Sequence, residues 1–487
     1  MDASGSGRAV VIGAGIAGLV AARVLSERVD EVVIVERDAI DDDTATRPGV
    51  PQAMHVHLLL QRGYRELTGL FPGLDGRLAA AGASALDLLR DGVWITRAGE
   101  APRVPSRLRT RSASRGLYES VIRDLTLERT NIRLLDGHDA VALHGDAAAV
   151  RGVALRRRPS RTAGAPVAGT TPDHHVTAAG EPPGETSEVD AWLVVDASGR
   201  ASKAPAHLAA IGAPVPTESV IDASLRYATR LYRVPAEPRD WKVLLVRDRP
   251  PAGTRGGIVS EIEGGRWVVT LGGAGEDQPP TDDDGFVAFA RDLVSPRLFD
   301  AIRDAEVLSP IHGWARTANR WRHAERIRAW PAGFTLFGDS LCALNPVYGQ
   351  GMSVAAMEGG VLGRWLDASG VGPDRRSVTP PDTGRLIREL ARTARLPWFL
   401  ATGEDARIDG VTGVDRVSPL EALGRRYIDE VVVDSARDAH TLRRFTEVSN
   451  LVRPPIALFD PRVVARVAAG VIGRRLGRGC RTGGRPA

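Results

Sequence analysis

Gly13-Ala14-Gly15-Ile16-Ala17-Gly18 has glycines at the spacing that lets a backbone turn sharply beside a pair of phosphates. Gly13 permits the tight turn, Gly15 lets the backbone approach a pyrophosphate, and Gly18 lets a following helix pack close to the preceding strand. The flanks fit this reading: Ala9–Ile12 is an apolar run, Ile16, Leu19, Val20 and Val24 fall at helical spacing, and Val32–Val35 is a second apolar run. A strand–turn–helix–strand unit of this kind offers free N–H groups and the positive end of a helix dipole to an anion. Glu36 ends the second strand 23 residues after Gly13, where an acidic side chain can accept hydrogen bonds from an adenosine ribose. Arg37 follows it as a further candidate contact. These residues point to an ADP-containing dinucleotide, without separating a flavin from a nicotinamide.

Two later stretches have the same character. Phe334-Thr335-Leu336-Phe337 reads as a strand ending in Gly338-Asp339-Ser340, where Gly338 frees the backbone and Asp339 offers acceptors to sugar hydroxyls. Asn345-Pro346-Val347-Tyr348-Gly349-Gln350-Gly351-Met352 then leads into a helix. Gly349 and Gly351 let backbone N–H groups face a planar ring, and the helix dipole would stabilise negative charge there. Ahead of both, Val194-Val195-Asp196-Ala197-Ser198-Gly199-Arg200-Ala201-Ser202 again puts an aspartate at a strand end. His55 and His57 would share one face of a strand, but no carboxylate stands at ligand spacing, so no metal is expected.

The elements that must position these residues follow from pattern and length. A chain of 487 residues is long for one domain, and 43% apolar content supplies a large, mainly aliphatic core. Leu58–Phe71 and Gly116–Thr126 read as helices, Ile132–Leu155 as short strands and Ala191–Val195 as a buried strand. From Ser224 to Leu271 the period becomes that of β-structure, and Gly264-Gly265 between two strands signals a hairpin. Helices follow at Phe286–Leu293 and Gln350–Trp365. Residues 159–188, which include His174 and His175, read as a surface insertion, 371–384 as a Pro-rich linker, and the remainder as helical. Pro461–Arg478 is amphipathic and basic, and is expected to pack on the core.

Composition removes several function classes. The formal charge is +4, and only two of the 64 basic residues are lysines, Lys203 and Lys242, which is the mark of codon bias. Nucleic-acid binding would need clustered charge, and the only tight cluster is Arg156–Arg158, so no nucleic-acid partner is expected. Cys342 and Cys480 make no disulfide framework. No apolar run of membrane-spanning length occurs, and Met1–Gly7 lacks the features of a signal peptide. The expectation is a cytoplasmic protein without stable membrane insertion.

On its three glycine and aspartate motifs, residues 8–366 resemble the flavoprotein monooxygenases of the para-hydroxybenzoate hydroxylase fold. The resemblance implies an α/β fold: a Rossmann-like FAD-binding domain, an inserted antiparallel β-sheet substrate domain and a helical C-terminal region. The expected boundaries are 1–47, 111–200 and 326–370 for FAD, 48–110 and 201–325 for substrate, and 371–487 for the helical region. It implies non-covalent FAD held by Gly13 to Gly18, Glu36, Arg37, Asp196, Gly338, Asp339, Pro346, Gly349, Gln350, Gly351 and Met352. Arg115, at a helix start, matches the family's phosphate-binding arginine, and Arg47–Gln52 with His55–His57 match a loop beside the flavin ring. Ala197 stands where the family has glycine, which weakens NADPH binding by that segment.

Within that fold, the Pro51-Gln52 and His55-Val56-His57 segment, Asp196–Arg200 with Ser202, Asn345–Met352 and Arg453-Pro454-Pro455 resemble bacterial flavin epoxidases acting on polyene chains. That likeness implies transfer of one oxygen atom from O2, through a flavin C4a-hydroperoxide, to an apolar natural-product substrate in secondary metabolism. Alkene epoxidation is the leading reaction; aromatic hydroxylation and geranylgeranyl-type reduction of a prenyl chain stay open. A halogenase would use a catalytic lysine and a Trp-x-Trp-x-Ile-Pro motif that this chain lacks. The reductases' aromatic-x-Trp-x-Phe-Pro segment is also missing. NADPH or NADH is the implied electron source, directly or through a separate flavin reductase.

Overall fold

The computed structural model describes residues 7–40, 47, 49–159, 184, 186–250, 252–370, 381–414 and 419–479. His174, His175, Pro48, Cys480 and most of 371–384 lie outside them.

Apolar runs with no polar alternation suit strands covered on both faces, and such runs build the central sheet. Its five parallel strands lie in the order Phe334–Leu336, Leu193–Asp196, Arg8–Ile12, Glu31–Val35, Ile132–Leu135. The helices Ile16–Leu25 and Gly351–Ala368 join these strands in one buried core. The long helix Gly384–Asp405 adds Leu386, Ile387, Leu390, Ala391 and Ala394 to it.

A seven-stranded sheet fills the middle of the chain, in the order His312–Trp314, Leu225–Arg233, Arg266–Ala274, Gly256–Ile262, Val243–Arg247, Gly92–Thr96, Gly99–Glu100. It is antiparallel except where Val243–Arg247 pairs in parallel with Gly92–Thr96. Gly264 (φ +73°) and Gly265 (φ +61°) form the hairpin turn, a backbone conformation that matches strand twist and excludes most side chains. A second core, with Tyr232, Trp267, Phe286 and Phe289, covers one face.

Three placements refine the sequence reading. Thr186–Asp190, whose first residues are read as the end of the 159–188 insertion, pairs antiparallel with Val150–Arg157. His55 and His57 lie on irregular chain, not on a strand. The helix Gln61–Leu70 was placed with the substrate sheet but packs on the Gly351–Ala368 helix, where a Cβ on Gly63 would stand 2.6 Å from the Ser353 Cα. The start of that helix is capped from the far end of the chain: the Asn450 side chain accepts from the Gln61 N–H at 3.1 Å.

Gly18 is the tightest of the turn glycines, since a Cβ there would lie 1.8 Å from the Gly13 carbonyl oxygen. Backbone cannot yield as a side chain does, so Gly18→Ala is expected to cost at least about 2 kcal/mol of stability. An unchanged urea midpoint would refute this packing.

Candidate functional site

The first turn is built by backbone. Gly13 takes φ +102° and its N–H donates to the Val35 carbonyl at 2.7 Å. The helix Ile16–Leu25 begins at Gly15 with no side-chain cap, so its leading N–H groups point outward unclaimed. A Cβ on Gly15 would meet one atom within 4 Å, the Arg115 Nη2 at 4.0 Å. The turn therefore borders open space with a guanidinium on its far side.

That guanidinium ends a buried row of alternating charge. Arg115 pairs with Glu119 at 2.8 Å, Glu119 with Arg47, and Arg47 with Glu36 at 3.2 Å. Glu36 also accepts from the Ala14 N–H at 2.8 Å and the Asp38 N–H at 3.0 Å. It thus ties the turn to the second strand. Arg37 is exposed beside it. Glu119 went unnoticed in the sequence because it sits inside a helix with no motif around it.

The other strand ends converge on the same place. Asp196 is buried, and its carboxylate accepts from the Ser198 N–H and hydroxyl, the Ser340 hydroxyl and the Ser202 hydroxyl, at 2.6 to 3.1 Å. These donors take up its side chain within the protein, so it fastens two strand ends together. Gly338 (φ +61°) packs on the first helix, where a Cβ would lie 2.8 Å from the Ala17 Cβ. Asp339, next to it, is half-buried, and no described residue donates a hydrogen bond to its carboxylate. Burial pushes its pKa up, against the charges of Arg200, Arg115 and Arg322. Its Oδ1 lies 3.5 Å from where a Gly351 Cβ would stand.

The loop before the Gly351–Ala368 helix closes this cleft. Pro346 starts a single turn, Gly349 takes φ +62°, and a Cβ there would lie 2.9 Å from the Leu58 carbonyl oxygen. Gln350 is buried and its Oε1 has no hydrogen-bond partner among the described residues. The helix has no side-chain cap, and Met352 rests half-buried on the core. Of the predicted residues, Arg115 lies 4.0 Å from a Cβ built on Gly15, Gly338 packs on Ala17, Asp339 lies against Gly351, and Glu36 bonds to the Ala14 N–H.

The histidines bring neutral groups to one end. His57 donates from Nδ1 to the His55 carbonyl oxygen at 2.8 Å, leaving Nε2 as a lone-pair acceptor. Burial, then the Arg115 charge, brings its pKa down to about 3. His55 contacts Thr229 at 2.7 Å, and burial with the His312 charge holds its pKa at about 4. Among the described residues, no cluster of three or more His, Cys, Asp or Glu could hold a metal.

Two uncapped helix starts, the Arg115 guanidinium and a carboxylate to which no described residue donates suit an elongated ligand that is anionic in the middle and carries hydroxyl groups. The architecture is the fold of flavin-dependent halogenases and monooxygenases. The chain matches the structure of flavin-dependent brominase Bmp2 with a TM-score of 0.61 and 14% identity, over 96% of this chain and 99% of that one. It matches p-nitrophenol 4-monooxygenase PnpA from Pseudomonas putida DLL-E4 with a TM-score of 0.58 and 15% identity, over 92% and 98%. No protein-family model matches the chain. Protein Rv3254 of Mycobacterium tuberculosis (strain ATCC 25618 / H37Rv) is 30% identical over 465 residues, 94% of this chain and 93% of its own length. The chain belongs to the same family as Protein Rv3254.

Sequence reasoning also missed Glu358, which is fully buried and accepts from the Gly338 N–H at 2.6 Å. The signal was a lone charge four residues after Val354, on an apolar helix stripe. Burial foremost pushes its pKa from the ordinary 4.5 up to about 8. The folded chain keeps the proton where the unfolded chain loses it, so this stabilisation is complete below pH 4.5 and is lost as pH rises to about 8. Glu358→Gln, which cannot ionise, should melt above wild type with a gap that opens from pH 5 to 8 and closes below 4.5. A gap independent of pH would show that Glu358 does not titrate there.

Proposed function

We propose that the chain is an FAD-dependent monooxygenase that delivers one oxygen atom from O2 to an apolar natural product, with alkene epoxidation as its reaction. The observation that carries this reading is the Asp339 carboxylate, which lies against the Gly351 helix start and takes no hydrogen bond from a described residue. The residues present fit FAD: Gly13–Gly18 and Arg115 would take the pyrophosphate, and Glu36 would stand at the adenosine end. Asp339 would take hydroxyls on the flavin side, and the stretch from Gly349 to Met352, with the orphaned Gln350 Oε1, would meet the ring. FAD, when bound and reduced, supplies the electrons that activate O2.

The chain's own part is to hold, orient and keep dry. Epoxidation of an alkene needs no protein base, whereas phenol hydroxylation benefits from one. Burial keeps His55 (about 4) and His57 (about 3) neutral, and raises Tyr227 and Tyr348. None of these four exchanges a proton near neutral pH, which favours the alkene. Halogenation is disfavoured because Lys203 is exposed before a short helix and Lys242, just before an inner strand of the large sheet, donates to the Ala85 carbonyl. Electrons would come from NADPH or NADH, bound transiently or working through a reductase. Gly272-Gly273-Ala274-Gly275 forms no second dinucleotide turn, since Gly273 packs on Asp277 and no α-helix follows directly.

Gly15→Val and Asp339→Ala should each reduce FAD retained through purification about tenfold or more. Flavin absorbance equal to wild type in both would refute the cleft as the cofactor site. When reduced wild type meets air, a transient near-ultraviolet band should precede the oxidised spectrum. With a polyene substrate and 18O2, one labelled oxygen should enter each product. Addition of two hydrogens without oxygen would instead identify a reductase.

A further inference from the structure

Asp405 ends the long helix Gly384–Asp405, yet it is completely buried. Its carboxylate accepts from the Tyr348 hydroxyl at 2.5 Å, the Asn319 Nδ2 at 2.6 Å and the Asn345 Nδ2 at 3.2 Å. Asn319 in turn accepts the Asn345 backbone N–H at 2.7 Å. The Asn345 Oδ1 accepts the Tyr227 hydroxyl at 2.9 Å and the Val347 N–H at 3.2 Å. Asn319 and Asn345 are also buried. Both amides therefore have their orientation set by the network.

The loop from Asn345 to Gly351 has little else to fix it. Its internal backbone bonds are Tyr348 N–H to Asn345 O at 3.2 Å and Gly349 N–H to Pro346 O at 2.9 Å. Its place depends on side chains, and those side chains end on Asp405. A buried carboxylate is costly unless donors surround it. Here the donors come from the loop, from the strand Asn319–Arg322 and, through Asn345, from the large sheet.

We propose that Asp405 is a positioning residue: it fixes the Asn345–Gly351 loop against the large sheet and thereby sets where the flavin ring edge rests. This proposal rests on the flavin reading above. Tyr227, on the substrate-side sheet, is one hydrogen bond from Asn345, so the same knot links the two halves of the site.

The test uses the full-length chain and three variants. Asp405→Asn removes the charge and turns one acceptor into a donor facing donors. Tyr348→Phe removes one donor and leaves the carboxylate. Glu404→Gln breaks the neighbouring pair with Arg249 and removes no hydrogen bond of the loop, and controls for looser docking of the helix. Amide hydrogen exchange at Val347 to Gly349 in the FAD-free chain should rise about tenfold in Asp405→Asn, and the FAD dissociation constant should rise by a similar factor. Tyr348→Phe should move both in the same direction by less, and decides the matter if Asp405→Asn does not fold. Glu404→Gln should lower the melting temperature and leave exchange and FAD affinity alone. Unchanged exchange and affinity in the Asp405 and Tyr348 variants, or equal changes in Glu404→Gln, would overturn the proposal while the flavin reading stands. A wild-type chain that takes up no FAD would overturn both.

Discussion

The site depends on three parallel strands stopping at a common edge. Arg8–Ile12 pairs with Leu193–Asp196, which pairs with Phe334–Leu336, and the register brings Ile12 opposite Asp196 and Asp196 opposite Leu336. Hydrogen bonds carry the alignment past the strand ends: Ala197 N–H to the Ile12 carbonyl at 2.9 Å, and Phe337 N–H to the Asp196 carbonyl at 2.9 Å. A slip by one residue would turn every side chain to the opposite face. Gly13, Asp196 and Asp339 are remote in sequence, and this register makes them neighbours.

Charge compensation comes next. At the edge the strands leave uncapped helix starts, the Asp339 carboxylate, to which no described residue donates a hydrogen bond, and the Arg115 guanidinium. The row Glu36, Arg47, Glu119, Arg115 alternates in sign, so no buried member lacks an opposite charge. Removing one member of such a pair costs about 3–5 kcal/mol, because it strands the other in a poor solvent for charge. The row ends at Arg115, whose far side faces the open space over Gly15. The protein thereby holds a positive group at the cleft without burying an uncompensated cation.

Features made by local chemistry were legible in the sequence. The glycine turn, the Gly264-Gly265 hairpin and the Gly338-Asp339 strand end each follow from what a few adjacent residues can do. Features made by long-range pairing were not. Asp405 shows no local mark of burial, since its donors come from Asn319, Asn345 and Tyr348, 57 to 86 residues away. Asn450 caps a helix almost four hundred residues earlier. The parallel pairing of Gly92–Thr96 with Val243–Arg247 joins segments of which only the second reads as a strand. Asp196 was visible as an aspartate at a strand end. That its carboxylate is taken up by serine donors depends on Ser340, which arrives from another strand.

Polar groups of the large sheet reach the segments around the strand ends. Tyr227 and Thr229 lie on one strand of the large sheet; Tyr227 bonds to Asn345 and Thr229 contacts His55. An apolar junction would let the layers slide, because dispersion contacts have little directional preference. Hydrogen bonds between buried groups fix direction as well as distance. Burial also holds the pKa of the two histidines down, to about 4 at His55 and about 3 at His57. Bonds of fixed direction at Tyr227 and Thr229 thus set how the large sheet meets the Asn345 and His55 segments.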